Sequence, residues 1–243
     1  MCTSCASRKD FAYFQDEPLS AGYLDSAPEE LIYKPDDILT INVTAADPIA
    51  AQPFNLALVS PTENLLTVGG SSKMQTYLID KNGNIEFPVL GTLHIEGMTR
   101  IETTDMLKEK ISEYAKDPIV NIRLVNFTIT VIGEVSRPGT FTIENERVSL
   151  PQALGLAHDL TIFGKRKNVL LIREVDGQKK FAKIDLTSVN TVSSPIYYLQ
   201  QNDVLYIEPN NARIRSANYN QNNAVLISAI GTLTTIVAVF LIK

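Results

Sequence analysis

The chain has 243 residues, 44% hydrophobic and 20% charged, proportions that allow a packed core and exclude wholesale disorder. Its formal charge is −5 and no long basic run interrupts it, which excludes the electrostatic footprint of a nucleic-acid binder. Both cysteines, Cys2 and Cys5, lie at the extreme N-terminus, so the body can hold no disulfide framework, cysteine nucleophile or cysteine metal site. The densest basic cluster, Lys165, Arg166 and Lys167, reads as loop decoration, and His94 and His158 stand alone as structural histidines. With no Gly-rich phosphate loop, no G-x-S-x-G and no His-x-x-x-His pair, the chain does not read as an enzyme, and no cofactor or metal is expected.

The N-terminus, MCTSCASRKD, has neither the basic region nor the apolar run of a secretory signal. Small residues before Cys5 look instead like the tail of a bacterial lipoprotein signal, whose upstream part is expected to have preceded it. Cys5 is the expected lipid-attachment residue rather than Cys2, which has only Met1 before it. Residues 11–30, with Pro18 and Pro28 and few periodic apolar positions, read as an extended arm.

Strand signals begin with the alternation LTINV at 39–43. The runs at 75–80 and 85–89 flank Lys81-Asn-Gly-Asn84, which predicts a hairpin between them. Thr99 and Glu102 form a capping box that opens a helix to about Lys116, with Ile101, Thr104, Leu107, Ile111 and Tyr114 as its buried stripe. Alternation resumes at Val120, Ile122 and Leu124, and again at Phe127, Ile129 and Val131. This order is a compact α+β unit.

A second unit follows the turn at Pro138-Gly139. A short strand covers 140–143, and Ser149 with Gln152 forms a second capping box for a helix from Leu150 to about Ala157. Residues 169–174 and 179–185 predict a hairpin around Asp176-Gly177, and strands at 197–199 and 204–207 close the unit. A helix on a small mixed sheet is a β-grasp-like arrangement.

Residues 224–242 carry no charge over about 19 residues, roughly 28 Å as a helix and close to a bilayer core. A transmembrane helix is expected here, approached by an Asn- and Gln-rich stretch and ended by Lys243. On a wheel Ala224, Ser228, Gly231, Thr232, Thr235 and Ala238 share a small, hydroxyl-bearing face. That face suits close helix contact or a wet surface, as in self-assembly into a ring. It equally suits a plain anchor whose hydroxyls bond back to their own helix carbonyls.

These residues, in this order, resemble the outer-membrane polysaccharide export (OPX) family. YKPDDIL (33–39), YLID (77–80), GNIEFP (83–88), Gly91, GMT (97–99) and Asp117-Pro118 resemble its polysaccharide export (PES) domain. VIGEV (131–135), Pro138-Gly139, Ala153-Leu154, GKR (164–166), LIR (171–173) and NDV (202–204) resemble one SLBB (soluble ligand-binding β-grasp) domain. The family's Gly-Asp is replaced by Asp36-Asp37 and by Asn202-Asp203, residues that tolerate left-handed backbone. Its Ala-Gly-Gly is replaced by Ala157-His158-Asp159, where His158 is expected to fill the space.

The resemblance implies an α+β chain: leader and arm at 1–30, PES domain at 31–126, one β-grasp SLBB domain at 127–209, polar linker at 210–223 and transmembrane helix at 224–242. It implies a lipoprotein of the bacterial outer membrane with its body in the periplasm, assembled with itself as a ring oligomer, an octamer in relatives. Capsular or exopolysaccharide would be the cargo, fed by an inner-membrane polysaccharide copolymerase and passed through a channel of C-terminal helices. The alternative is a membrane-tethered lipoprotein that binds glycan or a partner without a pore of its own. A glycan-processing enzyme would need paired carboxylates across a cleft, and Asp36 with Asp37 reads as a turn instead.

Overall fold

The computed structural model describes residues 10–15, 30–56, 75–175, 177–217, 228, 230–235 and 237–238. Strand β1 (Ile38–Thr44) buries Leu39, Ile41 and Val43 and exposes the alternate positions more, as its period-two pattern requires. It is the centre of an antiparallel sheet, between β2 (Tyr77–Leu78) and β5 (Ile119–Leu124), with Leu39 opposite Leu124 and Thr44 opposite Ile119. A short helix α1 (Pro48–Ala51), capped by the Asp47 carboxylate, follows β1. A separate hairpin joins β3 (Asn84–Phe87) to β4 (Gly91–His94).

That hairpin corrects the sequence reading, in which 75–80 and 85–89 pair with one another. Strand β2 pairs with β1 instead, and β3 pairs with β4. Asp36 N donates to Ile79 O and Ile79 N to Asp37 O, drawing β2 onto the start of β1. The Lys81-Asn-Gly-Asn84 turn does form, with Asp80 Oδ1 accepting from Asn82 N and Asn84 N at 2.8 Å each. Gly83 is needed there twice over. Its φ is +76°, and a Cβ would come within 2.3 Å of Glu96 Cβ, because its carbonyl receives both Ile95 N and Glu96 N.

Helix α2 (Arg100–Ser112) has the expected capping box, with Thr99 and Glu102 bonded reciprocally. It buries Thr103, Thr104, Leu107 and Ile111, and both threonine hydroxyls donate to carbonyls four residues back. Ile101 and Tyr114, expected in the stripe, are 54% and 57% exposed. Ile101 lies roughly 100° round the wheel from the buried stripe. Tyr114 falls beyond the helix end and packs its ring 5.7 Å from that of Phe54.

The second unit is a five-stranded sheet in the order β10-β9-β12-β6-β7. Its strands are β6 (Thr128–Gly133), β7 (Gly139–Thr142), β9 (Gly164–Val175), β10 (Gln178–Ile184) and β12 (Val204–Pro209). β6 and β12 run parallel at its middle, and the other pairs are antiparallel. A small ladder joins β8 (Val148–Ser149) to β11 (Tyr198–Leu199). Helix α3 (Leu150–Leu156), opened by the Ser149/Gln152 capping box, buries Leu150, Ala153 and Leu154 against the sheet. At Gly133, φ is +96° and a Cβ would lie 2.1 Å from Ile207 O, so the close parallel pairing of β6 and β12 excludes any side chain. Asp176, in the predicted β9–β10 turn, lies outside the described residues. The trio Lys165–Lys167 belongs to β9 rather than a loop. Arg166 is buried, and Lys165 Nζ donates to Glu208 at 2.8 Å.

After α3, His158 and Asp159 both adopt left-handed backbone, with φ of 56° and 67°. His158 N bonds Gly155 O and Asp159 N bonds Leu154 O, closing the helix end that glycines would otherwise close. His158 is exposed, so it holds a backbone shape and does not fill a space. Past β12, the expected linker begins with a helix, α4 (Asn211–Ala217), whose Asn210 Oδ1 accepts from Arg213 N at 3.0 Å. Its signal is Asn210 as a cap before Asn211, Ala212, Arg213 and Ile214.

Each unit has its own core, and Leu31 and Leu124 touch both. Each also opens its central strand from the same turn. Asp36 and Asn202 are left-handed, with φ of 71° and 64°. The next residue is a buried aspartate whose Oδ2 accepts the amide three residues back, Lys34 N for Asp37 at 3.0 Å and Gln200 N for Asp203 at 2.8 Å. Asn126 links the two turns. Its side chain accepts from Ile38 N and donates to Asp36 O, both at 2.9 Å. Its carbonyl accepts from Gln201 Nε2 at 2.6 Å, while Gln201 Oε1 accepts Thr128 N at 2.7 Å.

The two aspartates differ in charge balance. Asp203 receives Arg173 Nε at 2.9 Å and Nη2 at 2.7 Å. Burial pushes the Asp37 carboxyl up to about 6, and the Lys34 amide and charge oppose this only in part. A carboxyl with a raised folded pKa holds its proton more tightly in the fold. Its stabilising contribution is therefore present below the ordinary carboxylate range near 4 and is lost as pH rises through about 6. We predict that wild type, relative to Asp37→Asn, loses on the order of 2–3 kcal/mol of unfolding free energy between pH 4 and pH 7, read by denaturant titration at the two pH values. Asn126→Ala leaves Ile38 N without its acceptor and is expected to cost about 1–3 kcal/mol in the same assay. Asn126→Asp, which keeps that acceptor but loses the donor to Asp36 O, should fall between.

Candidate functional site at the seam and the C-terminal helix

Where the two units meet they enclose a cleft of about 700 Å³. Helix α2 enters with Thr99, Arg100 and Ile101, strand β5 presents Asn121 and Arg123, and the loop before β8 supplies Glu144, Asn145, Glu146 and Arg147. The half-exposed Ile101 faces this cleft, which explains its departure from the buried stripe. Arg100 Nε lies 2.5 Å from Glu146 Oε1 and ties one unit to the other. The Arg147 guanidinium lies 5.2 Å from the centre of the Tyr198 ring. Tyr33, 2% exposed, lines the cleft and bonds through its backbone to Gly97 and Met98. Burial raises its phenol far above the usual tyrosine range.

Arg100, Arg123 and Arg147 face Glu30, Glu144 and Glu146, so the charges of the lining balance. Leu31, Leu124 and Phe127 contribute apolar wall. Donors and acceptors around an apolar wall suit a hydroxyl-rich ligand or an opposing protein surface. Among the described residues the lining contains no His, Cys or Ser. Among the described residues no group of three or more His, Cys, Asp or Glu could hold a metal ion.

The expected lipid site, Cys5, and the first residue of the expected helix face, Ala224, lie outside the described residues. Ser228, Gly231, Thr232, Thr235 and Ala238 are all helical. Thr232 Oγ1 donates to Ser228 O at 3.0 Å, Thr235 Oγ1 to Gly231 O at 2.8 Å, and Thr234 Oγ1 to Ile230 O at 3.0 Å. These hydroxyls therefore bond within their own helix. A Cβ at Gly231 would meet nothing within 4 Å. Ile230, Leu233 and Val237 are each more than half exposed on the other face. Among the described residues no helix is long and apolar enough to cross a membrane.

Residues 25–125 match the family model described as "Polysaccharide biosynthesis/export protein". The chain is 30% identical over 141 residues to the EPS I polysaccharide export outer membrane protein EpsA of Ralstonia nicotianae, an overlap of 56% of this chain and 37% of that protein. It is 28% identical over 129 residues to the protein of the same name from Ralstonia solanacearum, 52% of this chain and 34% of the relative. The overlap thus spans a little over a third of each relative's length. The first turn, helix α2 and the β5 wall of the cleft all lie within the matched region. Through residues 25–125 the chain is thus similar to the polysaccharide biosynthesis/export protein family and to these two polysaccharide export outer membrane proteins.

Proposed function

We propose that this chain is an outer-membrane polysaccharide exporter, working as an oligomeric channel for capsular or exopolysaccharide. The observation that carries the reading is the family match over the first unit together with two relatives named as polysaccharide export outer membrane proteins. On this reading the first unit is the PES domain, over about 31–126. The second, over about 127–209, is one SLBB domain, supported by a helix packed on a mixed sheet with a parallel central pair.

Cys5 carries the lipid, and residues 224–242 span the outer membrane while the body stands in the periplasm. The chain assembles with itself as a ring, an octamer by family resemblance. Small residues at Ser228, Gly231 and Thr235 allow neighbouring helices to approach closely. Polysaccharide is the cargo, delivered by an inner-membrane copolymerase, and the protein performs no catalysis.

One observation favours a second reading. The threonine hydroxyls bond to their own helix carbonyls, as a plain anchor would arrange them. The chain would then be a membrane-tethered lipoprotein whose seam cleft binds glycan, with no pore.

Full chain extracted in mild detergent should run as a homo-oligomer by light scattering and appear as rings in electron micrographs. In liposomes it should pass dextran. A monomer at every concentration, or vesicles that stay tight, would leave only the tethered binder. Gly231→Leu fills the open side of the helix and is expected to weaken assembly about tenfold, roughly 1.4 kcal/mol. Ile230→Leu on the other face should leave assembly unchanged in sedimentation.

A further inference from the structure

Residues 10–15 lie against the second unit, far in sequence from the strands they touch. Phe14 N donates to Leu186 O at 3.1 Å and Gln15 N to Thr187 O at 2.7 Å. Tyr13 packs against the second core, and its hydroxyl donates to Asp159 Oδ1, which also accepts Leu160 N. Burial, then the Asp159 carboxylate, raises the Tyr13 phenol well above its ordinary range. The Arg166 guanidinium lies 5.5 Å from the Phe11 ring centre and 5.8 Å from that of Tyr13, and Asp10 comes within 3.9 Å of Lys167. Four contacts of different chemistry thus converge on six residues.

Arg166 explains why the contact is specific. It is 7% exposed, and its Nη1 donates to Thr161 O and Gly164 O at 2.8 Å each, while its Nε has no hydrogen-bond partner among the described residues. A buried guanidinium held by carbonyls gains from aromatic faces laid over it, and Phe11 and Tyr13 supply two.

The same corner holds the start of the C-terminal segment. Asn210 N donates to Phe163 O at 2.7 Å, Arg213 lies 5.7 Å from the Phe163 ring centre, and Arg213 Nε is 3.5 Å from Glu134 Oε2.

We propose that the 158–167 corner, with the Leu186–Thr187 edge, is a recognition socket for the chain's own aromatic N-terminal segment 10–15. It acts as a latch that seats the N-terminal side of the chain on the corner from which the C-terminal segment departs. The latch stands without the export reading. Its consequence for membrane attachment rests on that reading: Cys5 lies five residues before Asp10, about 17 Å of extended chain at most, so a lipid there is tethered close to this corner.

Hydrogen–deuterium exchange of the full chain in detergent micelles tests the latch without any measure of export. The Phe14 and Gln15 amides should exchange about 100-fold more slowly than in an unstructured peptide. Tyr13→Ala should bring them to within a few-fold of the free rate while β6 and β12 amides keep their protection. Arg166→Gln should do the same, and if it does not fold, Tyr13→Ala alone decides. Free exchange in wild type, or unchanged protection in Tyr13→Ala, overturns the proposal. Protection that disappears on dilution would assign the segment to a neighbouring copy and overturn the latch within one chain.

Discussion

Two side-chain amides decide how this molecule holds together. Asn126 presents its amide to the first turn as if it were one more peptide group, taking Ile38 N and giving to Asp36 O. Gln201 does the same on either side of Phe127, giving to Asn126 O and taking Thr128 N. Each hydrogen bond is modest, but each partner is a backbone group that would otherwise be left short at the junction of two cores. Among the described residues, Leu31 and Leu124 are the hydrophobic side chains packed against both cores. Direction at the junction is set by the amides together with the Arg100–Glu146 ion pair, and the cleft lies beside the junction they hold.

The repeated turn shows how one backbone solution can be balanced in two ways. In both units a left-handed Asp or Asn turns the chain into its central strand and a buried aspartate closes the turn. In the second unit Arg173 lies across that aspartate in a two-pronged contact and also reaches Tyr198 O. In the first unit the aspartate meets an amide and little else that compensates its burial. The second turn is thus held by a buried pair, whose removal from one side would be costly. The first remains responsive to protons.

What could be read from the sequence was what is local. Both capping boxes formed where Thr99 and Ser149 placed them, because the bonded groups lie within three residues of one another. Asp36 and Asn202 took the left-handed shape for the same reason. The Lys81-Asn-Gly-Asn84 turn also formed, yet a turn does not state which strands continue from it. Pairing of β2 with β1 is decided by Asp36, Asp37 and Ile79 across more than forty residues. Asn126 falls between the two alternating runs that end at Leu124 and begin at Phe127, and nothing in its neighbours reveals an amide in use. Arg166 was read as surface charge because burial of a guanidinium depends on aromatic rings some 150 residues earlier. The seam cleft was invisible for the same cause: its walls come from four separate segments, at 30–33, 99–101, 121–127 and 144–147, brought together by the junction.

The C-terminal helix returns its threonine protons to its own carbonyls. To anything outside, that side is mostly carbon, with a notch at Gly231. Thr232, Thr234 and Thr235 therefore offer no free hydroxyl proton to a neighbour. What then distinguishes this side of the helix is its contour at Gly231, where a Cβ would meet nothing within 4 Å.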